Sequence, residues 1–367
     1  YRNRKKELHM VFIDLEKAYD RVPRNVLWKC LEAKGVAGTY IDLVKDMYDG
    51  VLTSVRTVGG DTDRFSVEVG LHQGSALSPF LFASVIDELT KKVQGEVPWC
   101  MLFADDIVLI DESRSRLNEK LEAWRATLES KGFKLSRNKT EYLECNFSGK
   151  EPEQEIAVRI GDEVITKSNV FKYLGSMIQA DGEVDEDVNH RIRVGWQKWR
   201  SATGVLCDRK IPLRLKSKFY CRAIRPAILY GGECWPIKKA QVKKLAVAEM
   251  RMLRWICGLT LLDKVKNDVI RSKVGIVPIE EKLRETRLRW FGHVMRKNPD
   301  APIRRCEKMV LGASMRRRGR GRPKKRWGEV IKQDLAMLLL TEDMALDRKK
   351  WRSRIRVDER VQGGVSV

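Results

Sequence analysis

"FADDIVLI" (residues 103–110) places two adjacent acids inside the apolar stretch "WCMLFADDIVLI" (99–110). Apolar runs on both sides of the pair are typical of two buried strands, here joined at Asp105-Asp106. A two-residue hairpin favours Asn-Gly or Asp-Gly in its turn, because both positions tend towards positive φ. Adjacent carboxylates also repel each other unless a cation lies near them. The pair is therefore either a chance acidic turn or a site that holds a cation.

A third acid follows another buried strand. "HMVFID" (9–14) is a short apolar run that ends in Asp14, and a strand there could bring Asp14 to the Asp105-Asp106 pair. Three carboxylates on neighbouring strands offer the oxygen ligands that Mg²⁺ prefers, with room for substrate phosphates. Two such ions, ~4 Å apart, can clamp the attacking and leaving oxygens of a phosphoryl displacement. The pattern therefore indicates polymerase chemistry.

Charge is distributed unequally along the 367 residues, whose formal net charge is +22. Residues 1–182 hold 26 Lys and Arg against 29 Asp and Glu, whereas residues 183–367 hold 46 against 21. A polyanion is the partner that such a basic half favours. The basic half also carries seven of the ten tryptophans, at positions 196, 199, 235, 255, 290, 327 and 351. These side chains suit either helix packing or stacking on nucleic-acid bases.

Other patterns limit the classes of protein to which this chain can belong. No run approaches the ~20 apolar residues of a membrane span, so no membrane partner is expected. The eight cysteines form no C-x-x-C pair, which favours reduced thiols, mostly in the core, and no structural metal. A helix is predicted between Pro23 and Gly35. Residues 53–70 predict a hairpin around Gly59-Gly60. Ser78 is expected to cap the helix that follows this hairpin.

Residues after Gly182 have helical periodicity. Segments 184–206, 211–229 and 238–259 each present a basic face, which is typical of a domain that follows nucleic-acid phosphates or of a merely solvated bundle. We divide the chain into residues 1–182, a helical domain at 183–262 and a basic region at 263–367.

Five motifs, in order along the chain, resemble motifs A to E of the reverse transcriptase palm. They are "FIDLEKAYDRVPR" (12–24), "GLHQGSALSPFLF" (70–82), "FADDIVLI" (103–110), "KGFKLSRNKTEYL" (131–143) and "FKYLGSMI" (171–178). They are most similar to non-LTR (LINE-type) retrotransposons of the RTE-like group, and "RWFGHVMR" (289–296) and "GRPKKRWGEVIKQDL" (321–335) resemble the C-terminal part of such elements. The resemblance implies an α+β fold: an antiparallel palm sheet with packed helices, a helical thumb and a basic, mostly helical C-terminal region.

The resemblance also implies metal ligands. Asp14 and Asp105 would ligate two Mg²⁺ ions, with Mn²⁺ as a substitute, and Asp106 would help to hold the charge. The backbone carbonyl of Leu15 would be a further ligand. Lys139 would protonate the leaving pyrophosphate as a general acid, although a solvated surface lysine is the alternative for this position.

Substrate contacts follow from the same resemblance. Tyr19 would exclude a ribose 2′-hydroxyl and so favour dNTPs, unless it is only a core tyrosine. Gln73 and Gly74 would line the incoming nucleotide. The hairpin that grips the primer end would consist of Phe171, Lys172, Tyr173, Leu174 and Gly175. The implied partners are an RNA template, a DNA primer and dNTPs, while the oligomeric state stays open.

A basic run near the C-terminal end is a candidate nucleic-acid-binding segment. Residues 316–326 read "RRRGRGRPKKR" and contain no acid. The basic positions are Arg316, Arg317, Arg318, Arg320, Arg322, Lys324, Lys325 and Arg326. The run resembles an AT-hook, which lies in narrow minor grooves, and equally fits a nuclear-import signal or an electrostatic tail. We expect nuclear localisation, with cytoplasmic presence as the alternative.

Two hypotheses about function remain. Polymerases of this kind carry fingers upstream of motif A, and many carry an endonuclease; only 13 residues precede Asp14, so we expect both to lie outside this sequence. One hypothesis is an RNA-directed DNA polymerase that is inactive or weak as this fragment. The other is a catalytically dead remnant that binds RNA and DNA without sequence preference. An in-frame upstream fingers region would favour the first.

Overall fold

The computed structural model describes residues 1–2, 5–149, 156–305 and 325–358. It divides into two compact units, Tyr1–Phe171 and Lys172–Val367. The architecture is α+β, with a mixed sheet in the first unit and mainly helices in the second, which confirms the predicted fold class. The division into three domains at residues 182 and 262 stays a prediction.

One five-stranded sheet organises the first unit. The strands of the chain are β1 (Leu8–Ile13), β2 (Leu52–Thr53), β3 (Arg56–Thr57), β4 (Gly60–Asp61), β5 (Phe65–Ser66), β6 (Cys100–Phe103), β7 (Asp106–Asp111), β8 (Glu141–Cys145), β9 (Arg159–Ile160), β10 (Glu163–Val164), β11 (Thr166–Ser168), β12 (Val170–Tyr173) and β13 (Ser176–Gln179). The sheet order is β11-β8-β1-β7-β6, with β11 parallel to β8 and the other neighbours antiparallel. β1 therefore lies at the centre with β7 beside it.

The central strands are buried, as their unbroken apolar sequences predict. Val11 and Ile13 of β1 and Leu109 of β7 belong to one core with helix residues Phe82 and Trp124, and each of these side chains is at most 3% exposed. The strand residues share one face of the sheet because their spacing is two. Helices thus cover that face and hold the two central strands in place.

In the described residues of this unit, four α-helices accompany the sheet. They are α1 (Arg24–Ala33), α2 (Gly38–Tyr48), α3 (Ser78–Thr90) and α4 (Arg114–Glu129). The α1 helix begins after Pro23 and is followed by Gly35 at φ +74°, as predicted. The predicted cap of α3 is wrong, because Leu77 is the N-cap and Ser78 is the first helical residue. The Ser78 hydroxyl donates instead to the His72 carbonyl at 2.6 Å.

The hairpin predicted around Gly59-Gly60 forms with its turn one residue earlier. Thr57 pairs with Gly60, so the turn is Val58-Gly59 and Gly60 opens β4. The β2 and β5 strands extend the same hairpin. Gly60, at φ +120°, adopts a backbone conformation that only glycine takes readily, and it does so within the strand.

Cysteine burial differs from the prediction of mostly core thiols. Of the seven cysteines in the described ranges, only Cys30, Cys100 and Cys145 are buried. These three lie on α1, β6 and β8, which form the sheet core. Cys207 and Cys234 are exposed, whereas Cys221 and Cys257 are half-buried and pack against the core of the second unit.

The second unit begins within the hairpin of β12 and β13 and continues with helices. These are α5 (Asp185–Ser201), α6 (Thr203–Leu206), α7 (Leu213–Phe219), α8 (Arg225–Leu229), α9 (Lys239–Ile256), α10 (Asn267–Val274), α11 (Ile279–Met295), α12 (Trp327–Met337) and α13 (Arg348–Ile355). A π-helical turn, Tyr220–Ile224, joins α7 to α8. All three segments predicted from periodicity are thus helical. Within the described ranges, no helix has both the length and the apolar character needed to cross a membrane.

Helix α11 takes part in two hydrophobic cores. Its residues Ile279 and Leu283 pack with α5, α8 and α9, whereas Leu288 and Phe291 pack with α12 and α13. The second core is reinforced by a buried ion pair in which Arg287 donates twice to Asp334, at 2.8 and 3.0 Å. The described C-terminal residues 327–355 are therefore a packed helical region.

Candidate active site

The Asp105-Asp106 pair lies at the tip of the β6–β7 hairpin. Phe103 pairs with Asp106, so the two turn residues are Ala104 and Asp105, and Asp106 is the first residue of β7. The prediction that the acidic pair itself forms the turn is therefore wrong by one residue. Ala104 adopts φ +53°, a left-handed conformation that costs a non-glycine residue about 1–2 kcal/mol. Such strain is common at functional sites.

Strand register brings Asp14 to this tip. The β1–β7 ladder ends with Ile13 opposite Ile107, so one step further Asp14 lies opposite Asp106. Partial desolvation raises the pKa of Asp106, although this residue is exposed, and the neighbouring carboxylates of Asp105 and Asp14 raise the pKa further. The three acids singled out in the sequence thus converge at one end of the sheet.

Asp14 has an oxygen that the fold leaves unbonded. Its Oδ2 is buried and accepts no hydrogen bond in the described part of the chain. Lys139 Nζ forms an ion pair with that oxygen at 3.6 Å, a separation longer than a hydrogen bond, and the lysine side chain is 74% exposed. A buried carboxylate oxygen without a donor is unfavourable unless a cation or a ligand satisfies it.

The Lys139 loop is attached to the Asp14 backbone. Ser136 N–H donates to the Asp14 carbonyl at 2.8 Å, and Asp14 N–H donates to Thr140 Oγ1 at 3.4 Å. Lys139 lies between these two contacts in sequence. The loop therefore holds this lysine beside Asp14 although its side chain is mostly exposed.

Leu15 forms an isolated antiparallel bridge with Leu135. The two bonds of the bridge run from Ser136 N–H to the Asp14 carbonyl and from Glu16 N–H to the Lys134 carbonyl. Neither bond uses the carbonyl of Leu15. The Leu15 side chain is buried and anchors this stretch next to the acids.

Tyr19 faces the acidic tip from the segment after β1. Its ring stacks on Phe82 with centroids 4.5 Å apart and planes at 14°. Burial and the charge of Asp105 raise the Tyr19 pKa, so the phenol lies within electrostatic reach of that carboxylate. Tyr19 is thus both a packing residue and a neighbour of the site.

The Gln73-Gly74 loop is bonded to the same segment. Leu71 N–H donates to the Tyr19 carbonyl at 2.8 Å, and Gln73 Nε2 donates to Asp20 Oδ1 at 2.8 Å. Gly74 has φ +92° with open space around it. The loop therefore approaches the Tyr19 segment closely.

Asp20 and Gly70 are two residues that the sequence analysis did not single out. A side chain at Gly70 would lie 2.7 Å from the Asp20 carbonyl, so only glycine permits this approach. Their positions in the sequence could have indicated a role near the site, because Asp20 directly follows Tyr19 in motif A and Gly70 opens motif B.

Residues 171–175 form a hairpin whose turn is Leu174-Gly175. Both turn residues have positive φ, +46° and +84°, which suits a two-residue hairpin turn. Phe171 stacks on Phe12, and both residues belong to the first unit, with ring centroids 3.9 Å apart. Lys172 is exposed and Tyr173 is half-buried.

The second unit fixes this turn through two side chains. Tyr230 donates its hydroxyl to the Leu174 carbonyl at 3.1 Å, and Arg191 donates to the Gly175 carbonyl. The Arg191 guanidinium lies over the Tyr230 ring, 4.3 Å from its centroid. Burial lowers the pKa of Arg191.

The predicted basic run lies almost entirely outside the described residues. Arg316, Arg317, Arg318, Arg320, Arg322 and Lys324 fall there. Lys325 and Arg326 are half-buried, and Arg326 N–H donates to Glu329 Oε2 at 3.2 Å at the start of α12.

Comparison with known families agrees with this geometry. Residues 1–178 match the family of reverse transcriptases (RNA-dependent DNA polymerases). These residues form a reverse transcriptase domain. The family generally uses divalent metal ions. The carboxylates of Asp14, Asp105 and Asp106 are the kind of ligand that such an ion takes, but in the described residues no three acidic, His or Cys side chains lie close enough together to hold one.

Curated relatives of the reverse transcriptase domain come from mobile elements. A transposon-derived protein of Caenorhabditis elegans is 23% identical over 72% of this chain and 98% of that protein. The Pol polyprotein of retrotransposable element R2DM from Drosophila melanogaster is 30% identical over 47% of this chain. The RNA-directed DNA polymerase of mobile element jockey from Drosophila funebris is 24% identical over 90% of this chain. The chain spans 18% and 36% of the latter two proteins.

These relatives confirm the predicted resemblance to non-LTR retrotransposon reverse transcriptases, while the RTE-like assignment remains a prediction. Among solved structures, apo telomerase from Candida tropicalis is similar with a TM-score of 0.41 and 13% identity, covering 95% of this chain and 53% of that chain.

Proposed function

We propose that the chain is the catalytic part of an RNA-directed DNA polymerase that adds dNTPs to the 3′-hydroxyl of a primer on an RNA template. The observation that carries this proposal is the convergence of Asp14, Asp105 and Asp106. A buried Asp14 oxygen there accepts no hydrogen bond in the described residues and is ion-paired, at 3.6 Å, with the mostly exposed Lys139. A fold tolerates three such carboxylates more readily when a cation neutralises them. The match of residues 1–178 to reverse transcriptases supports the reaction class.

Two Mg²⁺ ions, or Mn²⁺ in their place, are the cofactor we propose. Asp14, Asp105, Asp106 and the Leu15 carbonyl would hold them, and the Leu15 carbonyl takes no part in the bridge bonds beside it. Such ions neutralise charge on the attacking and leaving oxygens of phosphoryl transfer. The protein's contribution would be to bring these oxygen donors together at one end of the sheet.

Residues around the acids would select the sugar, contact the incoming nucleotide and donate a proton. Tyr19, supported by Phe82, limits space at the 2′ position of the incoming sugar. Gln73 and Gly74 line the nucleotide from a loop bonded to the Tyr19 segment. Lys139, 3.6 Å from Asp14, holds a proton that it can donate to the leaving pyrophosphate.

Nucleic-acid contacts complete the proposal. The hairpin of Phe171, Lys172, Tyr173, Leu174 and Gly175 would contact the primer end. The helical domain at 183–262 and the basic region at 263–367 would follow backbone phosphates, since residues 183–367 hold 46 Lys and Arg against 21 Asp and Glu. Nuclear localisation through residues 316–326 belongs to the same proposal.

A second candidate function is binding without catalysis. The +22 charge favours sequence-independent binding of RNA and DNA whether or not the acidic site works. The two candidates differ in the effect of removing a metal ligand. The removal lowers primer extension if the chain is a polymerase, whereas nucleic-acid binding is retained in either case.

Asp105→Asn tests the polymerase. The change removes one ligand charge, and we expect primer extension with Mg²⁺ to fall by about 10³-fold or more while duplex binding is retained. Extension is measured with the chain alone and with the chain fused behind the amino-terminal region of a related reverse transcriptase, using whichever form extends a primer. Asp63→Asn, which removes the same charge from an exposed loop, is the matched control and should be silent. Near-normal extension by Asp105→Asn would remove this residue from the mechanism.

A further inference from the structure

Three tryptophans converge between α5 and α9 in the second unit. Trp196 and Trp255 have ring centroids 5.5 Å apart, and Trp199 lies 6.3 Å from Trp255. Trp199 is fully buried, whereas Trp255 is 49% exposed. The cluster is therefore packed on its inner side and leaves an indole at the surface, although large aromatic side chains are usually mostly buried.

A cavity opens beside this cluster. It measures about 590 Å³, and its lining includes the three tryptophans and Leu261, which is 64% exposed. A neighbouring cavity of about 440 Å³ shares Trp196 and Arg251 with the first, so the two form one groove along α5 and α9. We call this the Trp groove. The volume of each cavity lies in the ~300–1,000 Å³ range of ligand sites.

The charge of the Trp groove is entirely positive. Among the described residues that line it, none is acidic, and the basic ones are Arg200, Lys243, Lys244, Arg251 and Arg254. Arg254 is committed to the fold, since it donates to Asn267 Oδ1 at 2.6 Å. Arg200 and Arg251 are exposed, and no carboxylate of the described chain lies within ion-pair distance of either. Both guanidinium groups are available to an anion.

One hydrogen-bond donor in the groove wall is also unsatisfied. Trp199 Nε1–H is buried and has no acceptor in the described ranges. Other buried tryptophans of this unit do bond: Trp235 donates to Asp187 Oδ2 at 2.8 Å and Trp351 to the Leu288 carbonyl at 2.9 Å. The groove thus combines aromatic surface, unpaired cations and a spare donor.

We propose that the Trp groove binds single-stranded nucleic acid, with one unpaired base stacked on Trp255 and the flanking phosphates on Arg200 and Arg251. Aromatic stacking on exposed bases with cations for the backbone is how proteins bind single strands without sequence preference. A duplex hides its base faces, so it cannot use Trp255 in this way. Binding at the Trp groove does not depend on polymerase activity, and the groove lies in a different unit from the acidic residues.

Trp255→Ala is the primary test. Fluorescence anisotropy with labelled oligo(dT) and oligo(rU) of about 12 nucleotides should show a loss of affinity of about tenfold, the value expected for one stacked base. Trp255→Phe keeps an aromatic face and should retain most of the affinity. A 12-position abasic oligonucleotide keeps the phosphates and lacks bases, so Trp255→Ala should not change its binding. Duplex affinity should be unchanged as well.

Arg251→Ala combined with Arg200→Ala tests the phosphate contacts. Their removal should lower the slope of log affinity against log salt for the single strands by about 1–2, because up to two phosphates lose a cation. Arg64→Ala combined with Lys92→Ala is the matched control, since it removes the same two charges from exposed positions of the first unit that do not line the groove. The double variant of Arg200 and Arg251 retains the aromatic cluster, so its folding is not at risk from lost packing.

Three outcomes would overturn the proposal. Trp255→Ala could bind oligo(dT) and oligo(rU) as tightly as the parent chain. The variant could also lose as much affinity for the abasic oligonucleotide or the duplex as for the single strands, which would indicate a general loss of structure rather than a loss of stacking. Alternatively, an acidic peptide with aromatic residues could bind in a Trp255-dependent way while the oligonucleotides do not, which would make the groove a protein-binding site.

Discussion

At the scale of single residues, the site consists of groups that are unfavourable for folding by themselves. Asp14 keeps a buried oxygen that accepts no hydrogen bond in the described residues, Ala104 has a left-handed φ, and the pKa of Asp106 is raised by partial desolvation and by two neighbouring carboxylates. Each feature costs stability, and together they surround one point at the end of the sheet. Their common location is the strongest argument that this point binds something.

Tyr19 carries a prediction at this scale. Replacing Tyr19 with Ala removes the ring that stacks on Phe82, and the space it opens should admit rNTPs. We expect the ratio of rNTP to dNTP incorporation to rise by about tenfold or more, with a smaller loss in dNTP use. Tyr19→Phe keeps the ring and should leave the ratio low. Single-nucleotide extension with each substrate measures it, and an unchanged ratio would make Tyr19 a packing residue only.

At the scale of elements, α11 explains the motif "RWFGHVMR" (289–296) as a packing motif. A side chain at Gly292 would lie 2.3 Å from Trp351 Nε1, and this indole donates to the Leu288 carbonyl at 2.9 Å. The glycine therefore lets α13 approach α11 until Trp351 is buried. Phe291 contacts the same indole with ring centroids 6.1 Å apart.

Gly292→Ala should destabilise the C-terminal helices. Gly→Ala within a helix ordinarily stabilises by about 0.5–1 kcal/mol, but overpacking against a buried indole costs about 1–3 kcal/mol. We expect a net loss, measured by urea unfolding followed through tryptophan fluorescence. Gly204→Ala is the control, because Gly204 lies in helix α6 with nothing within 4 Å of the added methyl group. Equal stability of the Gly292 variant and the parent would contradict the close packing.

At the scale of the whole molecule, charge separates the chain into a near-neutral and a strongly basic part. Residues 183–367 hold 46 Lys and Arg against 21 Asp and Glu, whereas residues 1–182 hold 26 against 29. A surface of this kind binds polyanions through the release of their counterions, so its affinity depends steeply on salt. This property is independent of catalysis.

Binding titrations at several salt concentrations test this charge distribution. The chain should bind RNA and DNA duplexes with little sequence preference and lose affinity steeply as salt increases. Deleting residues 316–326, which hold eight basic residues, should weaken binding by about one to two powers of ten. Truncation of residues 359–367, which hold one acid and one base, is the control and should have little effect. Binding that does not respond to salt would contradict a polyanion partner.

The sequence by itself determined what depends on local pattern. Apolar runs ending in Asp14 and flanking Asp105 predicted strands and a candidate metal site, and helical periodicity predicted the helices after residue 182, because side-chain period and motif spacing are read along the chain. Pairing between distant segments was decided by tertiary structure. Strand register set Asp14 opposite Asp106 and moved the turn to Ala104-Asp105.

Which tryptophans are buried also depends on the tertiary structure. Trp199 and Trp351 are core residues, whereas Trp255 remains 49% exposed beside the Trp groove. Nothing local distinguishes these tryptophans, since each lies in a basic helix. The difference arises because packing partners come from other helices, as Trp351 depends on Gly292 of α11. Local sequence sets which elements form, and long-range contacts decide which of their faces stay open to a ligand.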